Sequence, residues 1–243
     1  MTDKLDRLYE YLADEEDARV CKDIPDSACS DVPGNFFTIF ITQFFTKLGD
    51  ALASSKVVLP WLLTSVGAPT FFSGILVPIR ESGSMLPQLL IGGFVRQYPR
   101  RKWFFVLGSA LQGIAVCAIA WVGLQFEGYT AGVIVTVLLV IFSLARGLCS
   151  VASKDVLGKT IPKTRRGLLS GYVSSASGLV TIGVGAAFLL VPQPDVDSYA
   201  TLIFFAGICW ILATLTYARV NEYPGATDGG ANAMAAALGS LSL

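Results

Sequence analysis

Apolar residues run nearly unbroken through six stretches, roughly 36–63, 69–95, 103–126, 131–154, 167–191 and 199–219. A helix needs about 20 such residues to cross the hydrocarbon core of a bilayer. The pattern therefore predicts an all-α membrane protein with six transmembrane helices. Charges interrupt the first, second and fourth stretches, and the polar residues inside them fall on helical stripes. The first carries Gln43, Lys47, Asp50 and Ser54, and the second carries Glu81, Ser84 and Gln88 with Arg80 beside them. The fourth carries Ser143, Arg146, Ser150 and Ser153, the fifth Ser170, Ser174, Ser177 and Thr181, and the third offers Ser109 and Gln112. Aligned stripes on separate helices predict a common polar interior.

The connections alternate in charge. Residues 64–68, 127–130 and 192–198 contain no Lys or Arg. The connections between them hold Arg96, Arg100, Arg101 and Lys102, then Lys159, Lys163, Arg165 and Arg166, and Arg219 closes the last stretch. A soluble bundle has no reason to keep Lys and Arg out of every second connection. Basic residues stay on the cytoplasmic side of a membrane, so both basic loops and both termini are expected there, in a plasma or inner membrane. Trp61 and Trp121 fall near the outer boundary and Trp103 near the inner one, where amphipathic rings settle.

The ends differ from the middle. Residues 1–33 hold ten acidic and four basic residues and lack the apolar core of a signal peptide. Leu5, Leu8, Tyr9 and Leu12 follow helical spacing, which predicts a short amphipathic helix stopped by Pro33-Gly34-Asn35, with Asn35 as the next N-cap. The expected organisation is an acidic cytoplasmic segment over 1–33, a six-helix bundle over 34–219 and a cytoplasmic linker over 220–243. That linker reads VNEYPGATDGG and then ANAMAAALGSLSL, a turn-rich piece followed by small apolar residues. It is expected to lead toward a second half outside this chain. A second copy of the chain is the other way to cover the polar stripes.

Composition supports the membrane reading and narrows the chemistry. Hydrophobic residues make up 53% and charged residues 15%, with a mean hydropathy of +0.61; a soluble domain carries about a quarter charged residues. There is no histidine, so the commonest metal ligand and general base are both missing. No nucleophile–base set appears either. An enzyme, a metal site, a cofactor and a nucleic-acid partner are not expected. The five cysteines form no CxxC pair and read as free thiols packed as small apolar groups.

A rise of about 1.5 Å per residue places Asp50 and Glu81 about 21 Å from the cytoplasmic end of their helices, and Arg146 about 13 Å. An ionised group at such depth costs about 2.5–3.5 kcal/mol on insertion scales and faces a cavity or a partner. Lys56 lies near the outer boundary and can snorkel to water. Satisfied ion pairs are one reading: Lys47 with Asp50, and Arg80 with Glu81 or with a carboxylate on another helix. As a cluster, Lys47, Asp50, Arg80, Glu81, Gln112 and Arg146 read as a pathway for substrate and protons. Gly171, Gly178 and Gly185 share a face of the fifth stretch, suited to tight packing or to sliding against a second bundle. Gly49–Lys56 also echoes Gly147–Lys154 at a constant offset, with Gly, Ser and Lys identical, as in an inverted three-plus-three repeat.

The loop GGFVRQYPRRK, Gly92–Lys102, resembles the signature between the second and third helices of the major facilitator superfamily. Gly92 fits its first glycine, and Arg100, Arg101 and Lys102 fit its basic run. Arg96 stands where that pattern has aspartate and Pro99 where it has a second glycine. Arg146-Gly147 resembles the arginine region of the family's fourth helix, and Arg165-Arg166-Gly167 the entry to its fifth. Gly178–Gly185 lacks the proline of the antiporter signature, which turns the reading away from drug–proton antiport. The resemblance covers about 34–219, one six-helix half of a twelve-helix transporter. It implies a cavity between two halves, alternating access, and a gating role for the Gly92–Lys102 loop. In some of the family's sugar symporters a helix 1 carboxylate pairs with the helix 4 arginine for proton coupling, and Asp50 and Arg146 occupy similar places. The implied function is a proton-coupled secondary transporter of a small solute. The alternative is a membrane interaction or assembly protein that keeps the fold without transport.

Overall fold

The computed structural model describes residues 26–85, 88–189 and 195–225, with Tyr9, Ile24 and Thr227. Among them the secondary structure is helical, with no strand. In chain order the helices are α1 (Asp26–Cys29), α2 (Val32–Leu52), α3 (Val58–Ser65), α4 (Thr70–Met85), α5 (Gln88–Val95), α6 (Lys102–Gln125), α7 (Gly128–Thr160), α8 (Lys163–Leu189) and α9 (Val196–Tyr217). Four of these, α6 to α9, are long and apolar enough to cross a membrane. By that measure the chain is a membrane protein.

The first two apolar stretches do not form single long helices. The first divides into α2 and α3 around the turn at 53–57, and the second divides into α4 and α5. α2 is 21 residues long, but its Gln43, Lys47 and Asp50 stripe lowers its apolar character. Pro78 lies inside α4, where it removes a backbone donor. The two segments of the internal echo also differ in local structure. Gly49–Lys56 ends a helix and turns, whereas Gly147–Lys154 lies within unbroken α7.

The start of α2 departs from expectation too. The helix begins at Val32, with Pro33 in its first turn, where a missing N–H costs nothing. Asn35 is therefore not its N-cap. The amide Nδ2 of Asn35 instead donates to the carbonyl of Asn221 at 3.0 Å, and its Oδ1 accepts from the Asn221 backbone N–H at 2.9 Å. Of the predicted amphipathic helix, only Tyr9 lies among the described residues; it is buried edge-on against Phe36. Cys29 is disulfide-bonded, against the expectation of a free thiol, while Cys117, Cys149 and Cys209 are free. The free thiols belong to transmembrane-length helices; Cys29 sits at the end of short α1, outside the apolar stretches.

Helix α6 is the centre of the packing, between α9 and α7; α2 packs on α9 and α8, and α4 and α5 pack on α7. The α6–α9 crossing is close because glycines meet there. A Cβ on Gly113 would lie 3.1 Å from the Gly207 carbonyl, and one on Gly207 would collide with the Cys117 side chain. Ser109 Oγ bridges the same pair by donating to the Trp210 carbonyl at 3.0 Å. Gly171, Gly178 and Gly185 meet nothing within 4 Å among the described residues. Among the described residues, tight packing is thus the work of glycines on α6 and α9, joined by Gly49, Gly83, Gly132 and Gly147 on α2, α4 and α7, and not of Gly171, Gly178 and Gly185 on α8. Gly207→Ala is expected to lower stability by about 1–3 kcal/mol through overpacking, and Gly178→Ala to leave it unchanged or slightly raised. Melting temperatures in detergent check this; equal losses in both variants would refute the packing assignment.

Buried apolar side chains gather in two clusters. One holds Leu62, Leu63, Leu76, Ile119, Phe142 and Trp210, and the other holds Phe36, Ile39, Phe105, Val156, Val173 and Tyr217. The outward faces are apolar as well: Leu107, Leu111, Ile114, Val137, Ile141 and Leu215 are exposed. That arrangement suits a hydrocarbon solvent. Trp61, Trp103 and Trp121 are each more than half exposed, as interfacial rings should be. Asp195 caps α9 by accepting from the Ser198 hydroxyl and amide. Those bonds, the hydroxyl first, hold its carboxyl below the usual range.

Candidate functional site

Asp50 lies near the C-terminus of α2, between the two apolar clusters. Its Oδ1 accepts from Arg80 Nη2 of α4 at 2.8 Å and from Arg146 Nη1 of α7. Three helices that are distant in sequence thus contribute one charged group each to a single point. Two guanidiniums facing one carboxylate leave a positive excess there. The Asp50–Arg146 partnership raised by the sequence is present. The pairings of Lys47 with Asp50 and of Arg80 with Glu81 are not. Arg80 turns to Asp50, and Lys47 Nζ donates to Ser174 Oγ of α8 at 2.7 Å.

Arg80 is held on several sides. Its Nη1 donates to the Ala53 carbonyl at 3.0 Å, just past the end of α2. Its guanidinium lies 5.3 Å from the centre of the Phe142 ring, and Phe142 itself stands edge-on to buried Trp210. A planar cation suits both carboxylate and ring. The carbonyl that the helix break frees at Ala53 is therefore satisfied by the same side chain that binds Asp50. This explains how α2 can end in the middle of an apolar stretch, since an unpaired carbonyl there would be costly.

Two cavities flank the Asp50–Arg146 pair. One, of about 250 Å³, is lined by Gln43, Thr46, Lys47, Gln112 and Ser150 among others. The other, of about 210 Å³, is lined by Ser54, Ser55, Lys56, Arg80 and Glu81. Asp50 and Arg146 border both. Gln112 is buried; its Nε2 donates to the Gly108 carbonyl at 3.3 Å and to Cys149 Sγ at 3.1 Å. Its Oε1 has no partner among the described residues. Glu81 is exposed on the rim.

The wider polar interior is smaller than the stripes suggested. Ser143 donates to the Leu139 carbonyl, Ser177 to that of Val173, and Thr181 to that of Ser177. Such hydroxyls satisfy themselves on their own helix four residues back and need no shared channel. Ser84 and Gln88 likewise bond along their own chain segment, to the carbonyls of Glu81 and Ser84.

A second polar cluster gathers at the N-terminal end of α6. The Arg101 and Lys102 backbone amides donate to the Glu222 carboxylate at 2.7–2.9 Å, and Lys159 Nζ reaches it at 3.1 Å. The Glu222 side chain is fully buried. Arg101 Nη1 pairs with Asp155 of α7 at 2.8 Å, and its Nη2 donates to the Arg96 carbonyl. Lys102 Nζ donates to the carbonyls of Ala218 and Val220. Tyr223 donates to Asp31 at 3.0 Å, a bond that pushes the phenol above its ordinary range. Residues 220–225 are thus docked on the bundle, and the part of the expected linker from 220 to 225 belongs to the fold. Arg96 and Arg100 are exposed, and Gly92 has open space around it.

Asp155 and Glu222 were not singled out from the sequence. The available signal was sparse: Asp155 is an acid beside Lys154 and Lys159 at a membrane edge, and Glu222 follows the last apolar stretch. Arg166, read as a basic loop residue at the entry to the fifth apolar stretch, donates to the carbonyls of Gly158 and Ile161. It supplies the positive charge that a helix C-terminus favours.

The chain matches no protein-family model, no curated protein and no solved structure.

Proposed function

We infer that the chain is a six-helix half of a secondary active transporter of the major facilitator type, moving a small solute with protons by alternating access. On this reading α2 with α3, and α4 with α5, are two broken crossings, completing six spans with both basic loops and both termini in the cytoplasm. Broken helices near the midplane are where transporters place ion and substrate sites.

The observation that carries the reading is the Asp50–Arg80–Arg146 centre, built by three helices and bordered by a cavity on each side. A structural ion pair has no need of two flanking cavities. Protonation of Asp50 would remove the charge that holds both arginines, and Arg80 would pass that change to the α2–α3 break through Ala53. The charge state of one side chain is in this way tied to the geometry of a crossing. The open glycine face of α8 offers a surface for a second bundle, either a C-terminal half or another copy. The Glu222 cluster holds α6, α7 and the 220–225 segment together on the cytoplasmic side.

The test is reconstitution of the full chain in proteoliposomes with an inward proton gradient and a panel of small solutes. Solute uptake that rises with the gradient and collapses with a protonophore is expected. Absence of both uptake and counterflow across the panel would defeat the reading.

A further inference from the structure

We propose that the cavity lined by Lys47, Gln112 and Arg146 binds a small oxyanion, a carboxylate or a phosphate, so that the solute carried is anionic. The inference rests on the transporter reading and narrows it to a substrate class. Four cations, Lys47, Lys56, Arg80 and Arg146, line the two cavities against two carboxylates, Asp50 and Glu81. Lys47, Lys56 and Glu81 are exposed at the cavity rims, whereas Arg80 and Arg146 are partly buried against the single carboxylate of Asp50, and partly buried charge without a counter-charge is costly. A neutral solute leaves the excess uncompensated and a cation adds to it. An anion cancels it.

Arg146 has the most to offer such a ligand. A guanidinium carries five N–H donors in a fork that matches carboxylate and phosphate oxygens. Among the described residues, Arg146 has its hydrogen bond with Asp50 and no other, and 34% of its side chain remains exposed. Lys47 has the Ser174 hydroxyl as its partner, so its charge faces no bonded carboxylate. Arg80 is already committed to Asp50, the Ala53 carbonyl and the Phe142 ring. The division of labour follows: Arg80 retains Asp50, while Arg146 turns its free edge to the ligand and Lys47 adds a second charge. The cavity's 250 Å³ corresponds to the liquid volume of roughly eight waters, which admits an anion of a few carbon atoms. The unpartnered Gln112 Oε1 in that wall would accept from a ligand hydroxyl.

Binding to the full chain in nanodiscs, with no gradient, tests this separately from transport. The probes are succinate, inorganic phosphate, the neutral succinamide and the cation choline, followed by calorimetry at millimolar concentration. Succinate or phosphate is expected to bind and the other two are not; which anion binds distinguishes the carboxylate source from the phosphate source. Arg146→Gln should weaken binding about 10–100-fold, the value of charge-assisted hydrogen bonds, and Arg146→Lys less. Lys47→Gln disturbs only a bond to a serine and keeps the test open if Arg146→Gln folds poorly; a loss of about tenfold is expected there. Silence from both anions, equal binding of succinamide or choline, or anion affinity unchanged in folded Arg146→Gln and Lys47→Gln would overturn the proposal. Anion binding without uptake into proteoliposomes would sink the transporter reading and leave this one standing. Uptake of a neutral solute unaffected by either anion would do the reverse.

Discussion

Asp50→Asn is expected to abolish proton-driven uphill accumulation while sparing downhill exchange of the same solute. Asparagine keeps the shape of the side chain and a hydrogen-bond acceptor for Arg80 and Arg146, so the cavities persist. It cannot take up or release a proton, so the step that ties proton movement to the two arginines is lost. The variant also leaves two guanidiniums facing each other without a carboxylate. Removing one partner of a fully buried pair costs about 3–5 kcal/mol. Asp50 keeps 21% of its side chain exposed and Arg146 34%, so solvent screening brings the expected loss down to roughly 1–3 kcal/mol. Exchange measured with labelled solute in preloaded vesicles separates the two effects, since a misfolded protein loses both activities. Uphill uptake at the parent rate in Asp50→Asn would remove Asp50 from the coupling role.

Glu222→Ala carries the largest expected effect on stability. The Glu222 carboxylate is fully buried and accepts from two backbone amides at the start of α6 and from Lys159. A helix N-terminus carries partial positive charge and unpaired N–H groups, so a carboxylate there satisfies both needs. Alanine would leave two amides and an ammonium unpaired at once. About 3–5 kcal/mol is expected to be lost, seen as a fall in melting temperature on the order of 10 °C. Residues 220–225 should become a site of rapid proteolysis, because the remaining ties of the segment include only a pair of bonds between Asn221 and Asn35 and single bonds from Tyr223 to Asp31 and from Gly225 to Pro99. Glu222→Gln should fall between the two, since it keeps an acceptor and loses the charge. A melting temperature for Glu222→Ala within a degree or two of the parent would show that the segment is not held by this carboxylate.

Much of the chain was legible because the bilayer imposes a one-dimensional rule. Runs of apolar residues the length of a membrane crossing predicted helices, and α6 to α9 formed as such. The exposed tryptophans and leucines along their outer faces follow from the same rule. The partnership proposed for Asp50 and Arg146 is present as a hydrogen-bonded ion pair, although α2 begins earlier and α7 ends later than the apolar stretches from which their depths were counted. What misled was the reading of each stripe as a row facing one channel. Ser143, Ser177 and Thr181 bond to their own helix, and a hydroxyl's choice between its own backbone and a neighbour cannot be read from spacing. The glycines misled for a similar reason. Gly171, Gly178 and Gly185 form a clear periodic face, yet the close crossing is made by Gly113 and Gly207, whose spacing within each helix looks ordinary.

The sequence by itself determined that this is a helical membrane protein with charges set inside its apolar stretches. Hydropathy is a sum over a local window, so it needs no knowledge of which helices lie side by side. Tertiary structure alone decided the partners. Arg80 chose Asp50 over its neighbour Glu81 because the end of α2 brings both a carboxylate and a freed carbonyl to the face of α4. Lys47 was left to a serine because α8 lies beside it. Glu222, in what read as a linker, became a buried helix cap because the end of α9 returns to the start of α6. Each is a choice among contacts far apart along the chain, settled by which helices lie side by side.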